Sequence, residues 1–337
     1  MIALGPMRSY GIGGTRLISA ERFAKKGNLL AKLEGDNACG SIKDRTAYYI
    51  FEDLLRSGRL VPGSRIVEST SGNFGVSLRL FAREYNIEVL CIVDPTMGHA
   101  KLARLLSAGA VVESVSSPDG NNRIARVHRA RELDGNAGFV WCNQYGNSAN
   151  VAAHEMTTGR EIWDQTDGTV SVVVCAVGTG GTICGVGRAL KARAASIEVV
   201  GVEPVGSTIF GGVFEPYLNV GAGLPSPSQI LWRFGDVIDK YAKVPDALSI
   251  ATALRFADAE GIGVGVTSGM VLAVAERIAE MRPSDIVVAI APDGATYYQD
   301  ELETRAKLHG CSPELCDAKV WHAALQAGAT GPDPCWR

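Results

Sequence analysis

The sequence predicts an α/β protein with mostly parallel sheets in two units, and three observations support this prediction. First, short apolar runs rich in β-branched residues alternate with amphipathic helical runs, which is typical of parallel strands covered by helices. Second, a chain of 337 residues is longer than a single hydrophobic core usually accommodates. Third, the alternation of strand-like and helical runs changes near residues 146–150, where we expect one α/β unit to end and a second to begin.

The first unit alternates strand and helix after a helical run that follows Lys43. Its strands are recognised by β-branched and apolar residues, and its helices by glycine or asparagine at the start and glycine at the end. The sequence predicts strands at 64–70, 87–95, 111–117 and 139–145, and helices at 72–86, 99–110 and 122–135.

The second unit has the same alternation but contains a Gly/Pro-rich stretch at 211–228. The alternation stops after about residue 305, and we predict that the last residues of this tail are disordered. The sequence predicts strands at 170–178, 197–204 and 285–294, and helices at 152–166, 178–193, 246–261 and 270–281.

Composition and charge exclude several classes of function. The net charge is −3 and 20% of the residues are charged, which does not predict binding to nucleic acid or to a membrane surface. The apolar runs have strand length and the N-terminus does not read as a signal peptide, so we expect a cytoplasmic protein. The eight cysteines lack zinc-ligand spacing, which predicts reduced thiols and no metal site. A Cys311–Cys316 disulfide is the alternative for the tail.

A glycine- and threonine-rich loop follows one predicted apolar strand. Gly178, Gly180 and Gly181 permit close backbone approach, and Thr179 and Thr182 offer hydroxyl groups. Because a helix begins here, its free N–H groups and its dipole favour a phosphate. A tight turn without a ligand is one alternative.

A dinucleotide site is the other alternative for this loop, because Glu203 ends the next strand. It is disfavoured because the G-x-G-x-x-G spacing is absent and because Glu203 lies 25 residues past Gly178 rather than about 20.

Two other segments carry reactive or anion-binding groups. The first segment connects a strand to a helix and consists of Thr70, Ser71, Gly72 and Asn73. Hydroxyl and N–H groups at such a helix start bind a carboxylate well. An ordinary N-cap without a ligand is the alternative. Lys43 lies early in a helix, where the dipole disfavours its charge and suits a reactive amine; a surface lysine is the alternative. Together the three sites match pyridoxal phosphate, which needs an amine, a phosphate clasp and a contact for its ring hydroxyl.

The motifs GSIKDR, ESTSGNFG, NQYGNSAN, GTGGT and GVTSG resemble those of the fold-type II pyridoxal-phosphate enzymes of the cysteine synthase group. The resemblance covers about residues 10–300 and implies two three-layer αβα domains with the cofactor between them, in a homodimer. The smaller domain would comprise 36–150, the larger one 11–35 and 151–310, and the tail 311–337.

The resemblance also implies a role for each site residue. Lys43 would bind the cofactor covalently and act as the Cα base, and Asn73 would contact the ring hydroxyl. Thr267, followed by Ser268, would meet the ring nitrogen, where the family more often has serine. A hydroxyl partner would not protonate the ring, which makes it a weaker electron sink and favours prompt loss of a β substituent. The phosphate would be bound by Gly178, Thr179, Gly180, Gly181 and Thr182, and the substrate carboxylate by Thr70, Ser71, Gly72 and Gln144.

Further motifs, among them SSPDG, GSTIFGG and SQIL, resemble one group within this family, the N-(2-amino-2-carboxyethyl)-L-glutamate synthases. These enzymes join O-phosphoserine to L-glutamate through aminoacrylate, on the way to 2,3-diaminopropionate. In this comparison Arg123 and Tyr145 fall where glutamate would bind, and an arginine suits a carboxylate. A solvated helix face is the alternative for Arg123.

Three alternatives remain open for the whole chain. It could be a cysteine synthase that uses sulfide, since the GTGGT loop resembles the general cysteine synthase version. It could be an NAD-binding enzyme, or a non-catalytic cofactor-binding scaffold.

Overall fold

The computed structural model describes residues 3–118, 122–136, 138–219, 221–298 and 314–317. The strands are β1 (Leu17–Ser19), β2 (Asn28–Leu33), β3 (Arg65–Ser69), β4 (Glu88–Val93), β5 (Val111–Ser114), β6 (Phe139–Trp141), β7 (Val172–Ala176), β8 (Glu198–Pro204), β9 (Lys240–Val244), β10 (Ile286–Ala291) and β11 (Glu314–Asp317). The helices are α1 (Lys43–Arg56), α2 (Asn73–Ala82), α3 (His99–Ser107), α4 (Asn122–Leu133), α5 (Ala149–Ala153), α6 (Gly159–Gln165), α7 (Gly181–Lys191), α8 (Gln229–Phe234), α9 (Asp246–Glu260) and α10 (Val266–Met281).

The smaller sheet has four parallel strands in the order β5-β4-β3-β6. Successive side chains of each strand point to opposite faces, and both faces are apolar. Ile66 and Val89 pack with residues of α1 and α2, whereas Val67 and Leu90 face the other side, where Val127 of α4 lies. Helices therefore cover both faces of this sheet.

The larger sheet has seven strands in the order β1-β2-β10-β7-β8-β9-β11. The inner strands are parallel, and only β1 and β11, at the two edges, pair antiparallel. Val173 and Val199 belong to the core that contains Ile183 of α7, and Val172 belongs to the core that contains Met270 of α10. This arrangement confirms the predicted α/β class with mostly parallel sheets and helices on both faces.

Several element boundaries differ from the prediction. The predicted strand at 139–145 ends at Trp141, and α10 begins at Val266 rather than at residue 270. The predicted helix at 152–166 starts at residue 149 and includes a π-helical turn, His154–Thr158, between α5 and α6.

Four strands, β1, β2, β9 and β11, are not predicted by the sequence pattern. The β2 sequence NLLAKL consists largely of good helix formers, and its strand state comes from pairing with β10, which lies over 250 residues further on. β9 carries lysines, and β11 lies in the tail, where the alternation has stopped. The predicted disorder concerns residues outside the described ranges, and so does Cys311 of the alternative Cys311–Cys316 disulfide.

The two sheets use separate parts of the chain. The smaller sheet is built from strands between 65 and 141, and the larger one from strands between 17 and 33 and between 172 and 317. The residue boundaries of the two domains stay a prediction. Across the described ranges, no helix is both long enough and apolar enough to cross a bilayer.

Candidate active site

A cleft lies at the carboxyl ends of β3, β7 and β10, beside the start of α1. Thr70, Gly178 and Asp293 each follow one of these strands within two residues, and all three line the cleft together with Lys43. The space in the cleft is about 660 Å³, and this figure includes space that is open to solvent. Ligands of parallel α/β sheets bind at this edge.

Most of the site residues predicted from the sequence line this cleft. Gly72, Gly180, Gly181, Thr182 and Ser268 are not among the residues that line it. The predicted residues that line the cleft are Lys43, Thr70, Ser71, Asn73, Arg123, Gln144, Tyr145, Gly178, Thr179 and Thr267.

Lys43 is the first residue of α1, and the loop before it is tied to the end of β10. The Ile42 N–H donates to Pro292 O at 2.8 Å, and Ser41 forms an isolated antiparallel bridge with Asp293. The position of the Lys43 backbone therefore depends on a strand at the other end of the sequence.

Lys43 is half-buried and interacts electrostatically with Glu68, which is fully buried. Burial lowers the pKa of Lys43 from 10.5 to about 8, and the charge of Glu68 opposes this shift. Burial raises the pKa of Glu68 to about 8, although the N–H groups of Gln144, at 3.4 Å, and Ser69, at 2.9 Å, stabilise its charged form. A lysine with a pKa near 8 is neutral often enough at physiological pH to act as a nucleophile and as a base.

The loop after β7 forms a cradle at the start of α7. Gly180 has a φ of +86°, in the left-handed region that favours glycine, and α7 begins at Gly181. A Cβ atom at Gly180 would lie 2.6 Å from Leu231 Cγ, and one at Gly181 would overlap the Asn150 amide. The first N–H groups of an α-helix have no intrahelical acceptor, so this cradle presents donors and a positive dipole to an anion.

Asn150 is a site residue that the sequence reasoning missed. Its Nδ2 donates to Gln144 O at 2.8 Å and to Thr179 Oγ1 at 3.1 Å, and its Oδ1 accepts from Thr46 Oγ1 at 3.0 Å. The side chain is fully buried and connects the loop around Gln144 to the cradle. Its presence in the NQYGNSAN motif is the only signal in the sequence.

The amide of Asn73 lies between a cation and a carboxyl group. Arg104 Nη1 donates to Asn73 Oδ1 at 2.8 Å, and Asn73 Nδ2 donates to Asp293 Oδ2 at 3.3 Å. Burial raises the pKa of Asp293, while a hydrogen bond from Tyr298 Oη at 2.6 Å stabilises its charged form. Arg104 and Asp293 do not stand out in the sequence.

Thr267 and Ser268 are buried in the first turn of α10. Thr267 Oγ1 donates to Asn219 Oδ1 at 2.6 Å, so the Gly/Pro-rich stretch contributes to the site. Ser268 Oγ donates to Asp293 O at 3.0 Å. Of the two hydroxyl groups, only that of Thr267 belongs to a residue that lines the cleft.

The segment before α2 is arranged to bind an anion. Gly72 has a φ of +131°, which side chains rarely adopt, and its N–H donates to Thr70 Oγ1 at 3.0 Å. Gln144 Nε2 donates to Ser69 O at 2.9 Å, and Arg126 Nη1 donates to Thr70 O at 2.7 Å. The start of α2 thus offers N–H groups to a carboxylate next to a buried guanidinium.

A second, larger cleft adjoins the first and shares Ser71, Arg123 and Arg126 with it. Its empty volume is about 1600 Å³, including space open to solvent. Lys101 and the two arginines line it, with Asp94 as an acidic residue among them. Cationic side chains therefore outnumber acidic ones in the lining of the second cleft.

Arg123, predicted as a substrate residue, contacts a loop of the protein itself. Its Nη1 donates to Tyr217 Oη at 2.7 Å and also to Gly223 O, and the guanidinium lies 4.9 Å from the centre of the Tyr217 ring. Tyr145 is buried beside the first cleft, and burial raises the pKa of its hydroxyl.

Residues 8–293 match the family described as "Pyridoxal-phosphate dependent enzyme". The chain belongs to this family. It is 35% identical over 297 residues to an N-(2-amino-2-carboxyethyl)-L-glutamate synthase of Ralstonia nicotianae, which covers 86% of this chain and 87% of the relative. It is 33% identical over 304 residues to a cysteine synthase of Haemophilus influenzae, which covers 86% and 94%. The solved O-acetyl serine sulfhydrylase isoform 3 of Entamoeba histolytica superposes with a TM-score of 0.80 at 28% identity, covering 90% of this chain and 92% of that one.

The cleft fits the cofactor of this family. The lysine has a lowered pKa, the helix start beside it forms a cradle that excludes side chains larger than glycine, and amide and hydroxyl groups belong to the lining. The chain is therefore a pyridoxal-phosphate-dependent enzyme of the β-substitution type. This finding excludes the alternative of a non-catalytic cofactor-binding scaffold.

The NAD alternative is also removed, because the family uses a different cofactor. Glu203, the candidate ribose ligand, is fully buried and accepts from Ile209 N at 3.0 Å and Phe210 N at 3.2 Å. Lys243 Nζ lies 3.0 Å from the same carboxylate. The Glu203 carboxylate therefore stabilises the loop after β8 by binding its backbone N–H groups.

Proposed function

We propose that this enzyme replaces the phosphate of O-phospho-L-serine with the amino group of L-glutamate, giving N-(2-amino-2-carboxyethyl)-L-glutamate and inorganic phosphate. In this reaction the Cβ–O bond breaks, a Cβ–N bond forms, and the glutamate nitrogen loses a proton. The observation that supports the choice of nucleophile is the cationic second cleft, which opens onto the first through Arg123 and Arg126.

A cationic cleft suits glutamate better than sulfide. Glutamate brings two carboxylates that need charge-assisted hydrogen bonds, whereas sulfide is small and needs no such cleft. Relatives named for either product are almost equally similar to this chain, at 35% and 34% identity, so similarity alone does not select between them.

Arg126 adds to the residues proposed for glutamate. Its side chain is 3% exposed, Nη1 is bound to Thr70 O, and Nε has no hydrogen-bond partner among the described residues. The guanidinium charge at the wall shared by both clefts favours a carboxylate there. We retain Arg123 and Tyr145 as proposed substrate residues, with Arg123 also positioning the loop that carries Tyr217 and Gly223.

The cofactor supplies an electron sink that lowers the barrier to removing the Cα proton. We assign its covalent attachment and the transfer of the Cα proton to the Lys43 amine. The N–H groups at the start of α2 would bind the α-carboxylate of the first substrate, and those at the start of α7 would bind the cofactor phosphate. Asn73 would meet the ring hydroxyl. The order of substrates should be ping-pong, with phosphate released before glutamate binds.

The mass of the product tests the choice of substrates. Holoenzyme is given either O-phosphoserine or O-acetylserine, together with an equimolar mixture of glutamate and sulfide, and the products are identified by mass spectrometry. We expect the glutamate adduct from O-phosphoserine. Cysteine as the main product would replace this proposal with the sulfide-using alternative.

A matched pair of variants on α4 tests the cationic cleft. Arg126→Met should raise the KM for glutamate at least tenfold, and it should affect the release of phosphate from O-phosphoserine less, through the lost hydrogen bond to Thr70 O. The control is Arg129→Met, because Arg129 is 38% exposed and pairs with Glu113 on the surface. Equal loss of both half-reactions in Arg126→Met would contradict a role in binding the nucleophile.

The remaining parts of the proposal rest on the resemblance to the family. We propose a homodimer that acts in the cytoplasm, in the synthesis of 2,3-diaminopropionate. The free thiols of Cys39, Cys91, Cys142, Cys175 and Cys184 support a reducing compartment. Light scattering of the purified holoenzyme tests the oligomeric state, and a monomer at micromolar concentration would contradict it.

A further inference from the structure

We propose that Asn150 sets the spacing between Lys43 and the cradle at the start of α7, so that a cofactor held there by its phosphate meets the Lys43 amine in the orientation for covalent attachment. Asn150 is thus assigned as a positioning residue, which acts through residues that line the cleft. The inference rests on the roles proposed above for Lys43 and the cradle, and it does not depend on which substrates the enzyme uses.

The Asn150 side chain joins helix α1 to two loops that line the cleft. Its Nδ2 donates to Gln144 O at 2.8 Å, in the loop after β6, and to Thr179 Oγ1 at 3.1 Å, in the loop after β7. Its Oδ1 accepts from Thr46 Oγ1 at 3.0 Å, and Thr46 is the fourth residue of α1, which begins at Lys43. One amide group therefore holds together three segments that are distant in the sequence.

The orientation of this amide is determined by a backbone group. A carbonyl oxygen can only accept a hydrogen bond, so the Asn150 atom that faces Gln144 O must be the nitrogen. Both N–H groups and the oxygen of the amide have partners, and the side chains of Asn150 and Thr46 are 0% exposed. Because a buried polar group that loses its partner is costly, this arrangement resists change.

The start of α7 packs directly against the same amide. A Cβ atom at Gly181, the first residue of α7, would overlap the Asn150 side chain. The backbone of the cradle therefore approaches the amide as closely as glycine allows. Since Thr46 lies about one turn of α1 beyond Lys43, Asn150 determines how far the cradle lies from the start of α1.

His154 forms a second connection between the same two helices. Its Nε2 lies 3.1 Å from Thr46 Oγ1 and 3.4 Å from Thr182 Oγ1, in the first turn of α7. Burial lowers the pKa of His154 well below its usual value, and the charges of Arg45 and Lys43 add to this effect, so the ring is neutral. This connection therefore acts through hydrogen bonds and places no cation beside the cradle.

Covalent attachment requires two groups of the cofactor to be placed at once. The neutral Lys43 amine attacks the aldehyde carbon, a C=N bond replaces the C=O bond, and the oxygen leaves as water with the two amine protons. The phosphate of the same molecule lies in the cradle, and such orientation accelerates an addition step. Pyridoxal, which has no phosphate, gains nothing from the spacing between the cradle and Lys43.

The rates at which the two aldehydes attach to apoenzyme test the proposal. Stopped-flow absorbance gives the maximal rate and the half-saturating concentration for pyridoxal phosphate, and the second-order rate constant for pyridoxal. The two aldehydes differ in intrinsic reactivity, but this difference is the same for every variant. Circular dichroism confirms that each apoenzyme is folded.

The matched variants are Thr46→Val and Thr158→Val. Both threonines are 0% exposed and contact the His154 ring, Thr158 Oγ1 at 3.0 Å from Nδ1, but of the two only Thr46 bonds to Asn150 among the described residues. Thr46→Val should lower the maximal rate with pyridoxal phosphate about tenfold, the upper end of what one hydrogen bond contributes, and change the rate with pyridoxal less than about twofold. Thr158→Val should change neither rate.

Asn150→Ala should lower the maximal rate with pyridoxal phosphate at least as much as Thr46→Val. It should also raise the half-saturating concentration, because Thr179 in the cradle loses its partner. If Asn150→Ala does not fold, Thr46→Val still decides, because it exchanges a hydroxyl for a methyl group of similar size.

An unchanged maximal rate with pyridoxal phosphate in Thr46→Val would overturn the inference. An equal fall with both aldehydes would do the same, because it would reveal a general disturbance of Lys43. None of these measurements uses turnover, so a failure here is distinct from a failure of the proposed substrates. Attachment of the cofactor to Lys43→Ala would instead refute the role of Lys43 itself.

Discussion

Arg104 Nη1 donates to Asn73 Oδ1 at 2.8 Å, and this contact determines which end of the Asn73 amide faces Asp293. Arg104 also donates to the backbone oxygen of Cys39, in the loop before α1. A single side chain of α3 therefore orients the amide at the start of α2 and braces the segment that leads to Lys43.

Replacing Arg104 should weaken cofactor binding. In Arg104→Met the Asn73 amide is free to turn over, so we expect the Kd for pyridoxal phosphate to rise about tenfold, equivalent to the ~1.4 kcal/mol of one hydrogen bond to a charged group. Fluorescence titration of apoenzyme measures this change. The control is Arg277→Met, since Arg277 is 55% exposed and its nearest carboxylate, Glu280, lies 3.6 Å away on the surface. Equal affinity in both variants would rule out the positioning role of Arg104.

Lys43→Ala should abolish covalent attachment of the cofactor and lower turnover by at least the ~10²–10⁴-fold contribution of a general base.

The pKa of about 8 also predicts that wild-type apoenzyme attaches the cofactor faster as the pH rises from 7 to 9, because the neutral amine is the nucleophile. Stopped-flow absorbance measures this rate. The exposed Lys26→Ala serves as the control. A rate independent of pH over this window would argue against a titrating Lys43.

Glu68→Gln should change how the stability of the apoenzyme depends on pH. Burial raises the pKa of Glu68 from 4.5 to about 8, so between these values the folded protein keeps a proton that the unfolded chain has lost. Stability therefore falls as the pH rises from about 4.5 to about 8. Glutamine has no proton to lose, and the variant should show a flatter profile in urea denaturation. The exposed Glu280→Gln should keep the wild-type slope, and an equal slope in Glu68→Gln would disprove the assignment.

The residue after the GSIKD segment, Arg45, is the centre of a buried ion-pair cluster. It is 0% exposed and lies 2.7 Å from a carboxylate oxygen of Glu34 and 2.8 Å from one of Glu161. Burial opposes the charge of Glu161, but the hydrogen bond and charge of Arg45 outweigh it and lower the pKa of Glu161 to about 2. Lys32 Nζ contacts the same carboxylate at 2.8 Å.

Arg45→Met should lower the free energy of unfolding by about 3–5 kcal/mol, because it leaves the fully buried Glu34 carboxylate without its cationic partner and removes one of the two cations that pair with Glu161. The control is Arg16→Met, which removes a surface pair with Asp36 in which Arg16 is 60% exposed. That change should cost less than about 1 kcal/mol. Urea denaturation compares the two variants, and similar losses in both would show that the cluster contributes little.

Part of the lining of the candidate cleft could be predicted from the sequence because the motifs that supply it are short and local. Lys43, Asn73 and the loop at 178–182 belong to short motifs at strand-to-helix junctions, and such junctions determine which groups face a ligand. The alternation of strand and helix likewise depends on neighbouring residues, so the fold class followed from it.

The supporting residues could not be predicted, because their roles depend on pairings between distant segments. Glu68 reads as one charged residue in an apolar strand, and its effect on Lys43 appears only when α1 lies against the smaller sheet. Arg104 and Asn219 read as surface residues of a helix and of a Gly/Pro-rich stretch. Each contacts a residue of the site, Asn73 or Thr267, that is 31 or 48 residues away.

The bridge between Ser41 and Asp293 has a consequence for the order of events during synthesis. The strands of the smaller sheet lie between residues 65 and 141, so they can pair while the ribosome is still translating the second half. The segment before Lys43 pairs with residues 292 and 293, and β2 pairs with β10 at 286–291. A nascent chain therefore cannot complete its cofactor site until almost all of residues 1–293 have left the exit tunnel.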